Sequence, residues 1–460
     1  MSPHFSRIVA LAACLACVSS AFAPASAAAQ VESALAITNV TVIPMDRERV
    51  LHGQTVLIRG GRIVAVGPAR TVAIPSSAMK VDGTGRFLIP GLVDAHVHYD
   101  EDAAGKDPHI DEINAEYSRL FLSAGVTEVM NLCGSSKNLA LRDSIARGEV
   151  DGPTMITSPP CLNDSLMTEA QGAAAATKAK RDGYDFLKVY SFLSADGFRG
   201  IMTAAKRADI PVVGHIPQRV GTQAMLASGA VGVVHAEEFL YNPPFRLEYL
   251  DPHSGAVQLD ATHIPEIAHA AHSARVAVTP TLIAYSSIID EAANLDEVLA
   301  KPEMRLVSDQ VKKSRGWYAA DNARARKLGA PMPLSRLRLG LAMQKRLVRA
   351  FRDSGVVLLA GTDAGGSIPM VPGWSLHDEI QLLVGAGLTP YEALRAATAN
   401  SGEFFAQHFH AGASGTISPG ARADLVLLDA NPLADIRNTR RIRGVVLRGE
   451  LVARDAEGAR

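Results

Sequence analysis

Apolar positions along this chain change their period more than once. From Ala34 to Leu88 they alternate with polar ones in short runs, as in Leu35 to Ile43 and Thr55 to Val66, the pattern of strands with one covered face. Gly60 and Gly61 interrupt the second run, which predicts a β-hairpin. From Ile89 to about His410, short apolar, β-branched runs alternate with stretches of helical period, the rhythm of a parallel barrel. Its predicted strands are Pro90 to His98, Val126 to Leu132, Thr154 to Thr157, Asp185 to Tyr190, Pro211 to Pro217, Ala230 to Glu238, Val276 to Thr281 and Gly355 to Ala364. From Ala423 to Val452 the chain is strand-like again.

The fold class that follows is α/β, a (β/α)8 TIM barrel with a small composite β-sandwich built from both termini, because neither terminal stretch alone has enough strands to bury both faces. Its expected boundaries are a leader over 1–29, sandwich over 30–88 and 416–460, and barrel over 89–415. One segment breaks the rhythm. Glu291 to Arg352 lacks a strand pattern and predicts helices inserted between strands seven and eight, with Lys312, Lys313, Arg324, Arg326 and Lys327 in solvent. A lid or a contact in a homo-oligomer is the functional alternative for that insert.

Composition changes this picture little. The 460 residues suffice for one barrel of about 250 to 330 residues plus a smaller module, and a net charge of -1 gives no electrostatic case for nucleic acid as a partner. The apolar stretch after Arg7 is too short for a transmembrane span and, with Ala21-Phe-Ala and Ala25-Ser-Ala behind it, reads as an export signal to the periplasm or medium. A lipoprotein anchor on Cys14 is the second reading. Removing the leader leaves Cys133 and Cys161, enough for one disulfide but not for a framework.

Candidate chemistry sits at the strand ends. His96 and His98 are one residue apart, so a strand places both imidazoles on one face where they can converge on an ion. Lys188 lies inside an apolar strand, where a charge is costly unless it is removed or paired. His215, His235 and Asp363 end three further runs. Each has a plainer explanation alone: a snorkelling lysine, core histidines, a helix cap. Six such groups in order, each at a strand end, point to a metal site. Tyr190 shares the strand face of Lys188 and could donate to a developing oxyanion, or merely pack. Glu237 could orient an imidazole and His377 could reach substrate. Gly365 and Gly366 would let the backbone turn sharply or approach a ligand.

This order resembles the amidohydrolase superfamily, in particular its binuclear, imidazolonepropionase-related and prolidase-like secreted members, over nearly the whole mature chain. The resemblance extends to Gly415 to Asp429, similar to that family's return into its β-domain. It implies that His96 and His98, Lys188 as a carboxylated bridge, His215, His235 and Asp363 hold two divalent ions, most readily zinc. It further implies that Asp363 is the proton acceptor for a metal-bridged hydroxide that cleaves an amide or peptide bond of a dipeptide or N-acyl amino acid. Arg219, Arg246 and His253 are the candidates to clamp a substrate carboxylate. Opening of a cyclic amide or lactone is the enzymatic alternative, and a non-catalytic metal-binding protein on the same fold is the alternative of another class.

Overall fold

The computed structural model describes residues 34–68, 70–99, 108–242, 248–250, 257–318 and 334–454. The expected leader, with Cys14, lies outside them, as do Arg246, His253, Arg324, Arg326 and Lys327.

Strands β1 (Ala34–Val42), β2 (Leu51–Arg59), β3 (Arg62–Pro68), β4 (Met79–Asp82) and β5 (Phe87–Pro90) precede the barrel. The turn between β2 and β3 pairs Arg59 with Arg62 across Gly60 and Gly61, both at positive φ, as the two-residue hairpin requires. At the other end of the chain, β15 (Leu425–Leu428), β16 (Ile442–Leu447) and β17 (Glu450–Arg454) join the same sheet by pairing β15 antiparallel to β5. The order is β17-β16-β15-β5-β1-β2-β3, with β4 on β1. Strands from both termini therefore form one composite sheet, covered by a cluster that includes Ile37, Val56, Leu88, Leu425 and Val446.

Between these stretches runs the barrel. Strands β6 (Leu92–Val97), β7 (Val126–Asn131) and β8 (Thr154–Thr157) pair in parallel, and so do β9 (Leu187–Val189), β10 (Val212–Gly214), β11 (Gly232–Val234) and, after the short hairpin β12 (Glu248–Leu250) and β13 (Val257–Leu259), β14 (Ala277–Thr279). Single bridges complete the circle: Leu162 with Val189, Val278 with Leu358, and Val97 with Ala364. The eighth staff of the barrel, residues 358–364, is thus held by a few backbone bonds rather than a full ladder, among them Ala95 N to Ala360 O at 2.9 Å and Asp363 N to His96 O at 2.7 Å.

Alternation along the strands sorts the side chains. Leu187 and Val189 join the large cluster beneath the outer helices, whereas Phe186, Val213, Val234 and Leu359 gather with Phe404, Phe405 and Phe409 of the helix Ala399–Phe409 in a separate cluster. Lys188 and Tyr190 consequently share the face of Phe186. The helical insert begins sooner than its charge pattern suggested. Leu282 to Leu299 is already helical, because the apolar run Ile283, Ala284, Tyr285, Ile288 and Ile289 packs on Leu337, Ile368 and Met370. Helices Asp309–Ser314 and Leu334–Asp353 follow, with Lys313 exposed and Lys312 half-buried beside Asp309.

Candidate metal centre

The C-terminal ends of the barrel strands bring the six expected groups to one place. His96, His235 and Asp363 offer ligand atoms all within 4.8 Å of one another. The ring of His96 lies 5.3 Å from that of His98 and 4.6 Å from that of His235, and His235 lies 4.6 Å from His215. Asp363 Oδ1 is 2.9 Å from His98 Nε2 and 3.1 Å from His96 Nε2. Lys188 is fully buried on the same face, its Nζ 5.8 Å from the centre of the Tyr190 ring. Tyr190 in turn lies 3.9 Å, ring to ring, from His215.

Backbone geometry reflects the crowding. His235 and Asp363 are non-glycine residues at φ 67, the left-handed region that costs free energy outside glycine and concentrates at functional sites. The Gly365 to Gly366 pair serves a different neighbour from the one expected. Gly365, at φ 102, presses on strand one: a Cβ there would stand 1.7 Å from the carbonyl oxygen of His98, so its close approach is to the protein's own backbone.

Electrostatics favours neutral imidazoles. Burial, foremost, holds His96, His215 and His235 well below the ordinary histidine range. For Asp363, burial alone would raise the carboxyl, but His96 foremost among the surrounding histidines holds it well below the usual carboxylate range. Neutral imidazoles beside an ionised carboxylate are what a divalent cation needs.

The outer shell fixes which ring nitrogen faces inward. His215 Nδ1 donates to Glu238 Oε1 at 2.6 Å, with Ser191 Oγ 3.0 Å away, and His235 Nδ1 is hydrogen-bonded to Thr281 Oγ1 at 2.7 Å. His215 Nε2, buried, has no hydrogen-bond partner among the described residues, and His96 Nε2 makes no well-aligned bond despite its closeness to Asp363. His215 Nε2 thus turns its lone pair toward the site and His96 Nε2 lies beside Asp363, so the donor set fits a metal. Glu238 is also held by Ile216 N at 3.2 Å and Asn242 Nδ2 at 3.1 Å, and burial lifts its carboxyl to about 7.

Two expectations need correction. The carboxylate that orients an imidazole is Glu238, not Glu237: the residue after β11 turns directly into a short helix, Glu238–Tyr241, so strand parity no longer selects the side chain. Glu237 instead lines a small cavity beside His235 and Asp363. His377 does not reach the site. It is fully buried on the helix Trp374–Ala386, with Nε2 3.1 Å from Ala124 O and Nδ1 3.0 Å from Thr439 Oγ1. Arg219 donates from Nη1 to Ser165 O at 2.8 Å, which leaves its other guanidinium donors uncommitted by this bond.

Sequence reasoning passed over Asp94 as well. Fully buried in β6, it takes hydrogen bonds from Thr362 Oγ1 at 2.7 Å and Thr362 N at 3.0 Å, tying strand one to the segment that carries Asp363. An acidic residue inside an otherwise apolar strand was the signal that could have found it. Cys133 and Cys161 form a disulfide joining the segments that follow β7 and β8.

The barrel's strand ends thus gather four histidines, a buried lysine and an aspartate, a donor set of the kind a divalent metal takes. The chain belongs to the Amidohydrolase family, hydrolases that act on carbon–nitrogen bonds, and the family's profile matches residues 87–452. It is similar to adenine deaminase of Ligilactobacillus salivarius (strain UCC118), 23% identical over 274 residues, which cover 54% of this chain and 44% of that protein. The chain thus spans less than half the length of that relative. In solved structures, a Xaa-Pro dipeptidase with bound methionine in the active site has a TM-score of 0.66 at 17% identity, covering 91% of this chain and 100% of that one. A molinate hydrolase reaches a TM-score of 0.68 at 19% identity, covering 92% and 95%. At such identities these two likenesses speak for the fold. Among the described residues no helix is long and apolar enough to cross a membrane.

Proposed function

We propose that this protein hydrolyses the amide or peptide bond of a dipeptide or N-acyl amino acid with the help of two divalent metal ions. His96, His98, Lys188 as a carboxylate-bearing adduct, His215, His235 and Asp363 would hold the pair, with zinc the first candidate for a histidine and carboxylate set. The observation that carries the reading is the inward-facing, unbonded nitrogens of His96 and His215 beside Asp363, with the opposite nitrogen of His215 tied back to Glu238. When bound, the ions supply an activated water and polarise the scissile carbonyl.

The protein's own groups do the rest. Asp363 accepts the proton of the attacking water at a carboxylate oxygen and passes it to the leaving amine. Tyr190, on the strand face of Lys188 and beside His215, donates its phenol to the carbonyl oxygen as charge develops. Lys188 cannot act as an ammonium ion here, and its burial favours the neutral amine that reacts with carbon dioxide.

The adenine deaminase match motivates a purine arm beside the dipeptides and N-acyl amino acids in any substrate panel. Export after the expected leader is part of the same proposal and draws support from the disulfide, since such bonds persist in oxidising compartments. Metal analysis of purified, active protein tests the binuclear reading. About two equivalents of divalent metal are expected, with activity abolished in Lys188→Ala and partly restored by a short carboxylic acid. Near-normal activity of Lys188→Ala would remove the binuclear mechanism.

A further inference from the structure

Beside His235 and Asp363 lies a cavity of about 40 Å³ whose lining includes Glu237, Tyr285, Ile288, Ile368 and Gln344. That volume admits a few non-hydrogen atoms and no more. Gln344 comes from the helical insert. Its helix, Leu334–Asp353, buries Leu337, Gly340, Leu347, Val348 and Phe351 along one stripe, and Gln344 occupies a position on that stripe where the period asks for an apolar side chain. It is only 1% exposed, and its Nε2 has no hydrogen-bond partner among the described residues. A buried amide left this way costs about 1 to 3 kcal/mol, so the position calls for an explanation.

The helix is shaped to this wall. A Cβ on Gly340, one turn before Gln344, would stand 2.6 Å from the Tyr285 hydroxyl, so glycine there makes room for a second polar group of the same lining. Among the described residues the cavity is lined by no lysine or arginine, while Glu237 supplies a carboxylate. A substrate carboxylate would find no cationic side chain in it among the described residues, and burying that charge unpaired is costly.

We propose that this cavity is a specificity pocket for a short, uncharged group carrying an acceptor for Gln344 Nε2, the chemistry of a carboxamide or of the amide-like edge of a small heterocycle. The proposal rests on the hydrolase reading for the neighbouring centre, and it deepens that reading by assigning the substrate's polar end. The helical insert thereby contributes a specificity residue to the site rather than covering only the barrel's side.

Calorimetric titration of the full-length, zinc-loaded protein with free asparagine, aspartate, leucine and adenine tests it without requiring turnover. Asparagine or adenine should bind roughly 10- to 100-fold more tightly than aspartate and leucine, the range for one buried hydrogen-bond partner left unmade. The margin over leucine should vanish in Gln344→Met, which keeps the volume, while leucine binding itself stays unchanged. A margin for asparagine alone assigns a side-chain carboxamide, and one for adenine alone assigns the heterocycle edge. Gln344→Glu provides a second variant and should lose the same margin by removing the donor. Equal binding of all four ligands, or a margin that survives both substitutions, overturns the pocket. Hydrolysis of dipeptides by the same preparation is read separately: a margin without turnover would sink the hydrolase reading, and turnover without a margin would sink the pocket.

Discussion

Two regions of this molecule bury charged side chains, and they resolve the cost in opposite ways. Near the start of β6 and β7, fully buried Glu128 pairs with Arg422 at 3.0 Å and accepts from Ser414 Oγ at 2.8 Å, while Arg422 also contacts Asp424, which accepts from Arg448 N at 2.7 Å. Charges of opposite sign answer one another within the chain. At the other end of the barrel, His96 and His215 keep buried nitrogens unbonded, next to a carboxylate and a buried lysine. The first cluster fastens the barrel to the terminal sheet by pairing opposite charges, although Glu128 Oε1 and Arg422 Nη2 make no well-aligned hydrogen bond among the described residues. The second converges on a position that no side chain fills, which is how a binding centre differs from a structural ion pair.

Substitutions can break this contrast. The largest effect is expected from Asp363→Asn, which keeps an oxygen in place but cannot take a proton: kcat should fall by about 10² to 10⁴ with metal content largely retained. Loss of metal in parallel with activity, measured on the purified variant, would make Asp363 a ligand only. Arg422→Met should act on stability instead, costing about 3 to 5 kcal/mol because Glu128 stays buried without its cation. Chemical denaturation measures that, and folded protein at low temperature should turn over substrate at the wild-type rate; a catalytic defect there would join the two regions functionally.

Smaller effects sharpen the picture within the centre. Tyr190→Phe should reduce kcat by up to about 10² to 10³ with KM little changed, the signature of a donor used in the transition state. Wild-type kinetics would leave the phenol as packing against His215. Glu238→Gln should weaken metal binding or activity by about 10- to 100-fold, since the imidazole of His215 loses its carboxylate anchor. Metal titration reads this directly, and unchanged affinity would show that Ser191 alone suffices to hold the ring.

The metal-centre residues were legible in the sequence because strand alternation is local: His96 and His98, or Lys188 and Tyr190, share a face whatever surrounds them. Apolar runs between helical stretches likewise marked the barrel strands and the two terminal β stretches, and Gly60-Gly61 marked the hairpin. Partners across the chain were not legible. Glu238 replaces Glu237 at His215 because a helix begins one residue after the strand-end turn, and no period reports that boundary. His377 lies at a plausible distance in sequence but is consumed by Ala124 and Thr439, residues far from it along the chain.

What the sequence determined by itself, then, is the set of polar side chains that meet at the candidate metal centre and the β/α order that lifts each to a strand end, both consequences of backbone periodicity and residue chemistry. Only the tertiary structure decided which nitrogen of each imidazole faces inward, that Asp94 ties Thr362 to strand one, and that Gln344 of the insert lines the cavity beside His235. Those facts depend on the register with which distant segments meet when the barrel closes, and closure is set by packing summed over the whole core, which no local stretch of sequence contains.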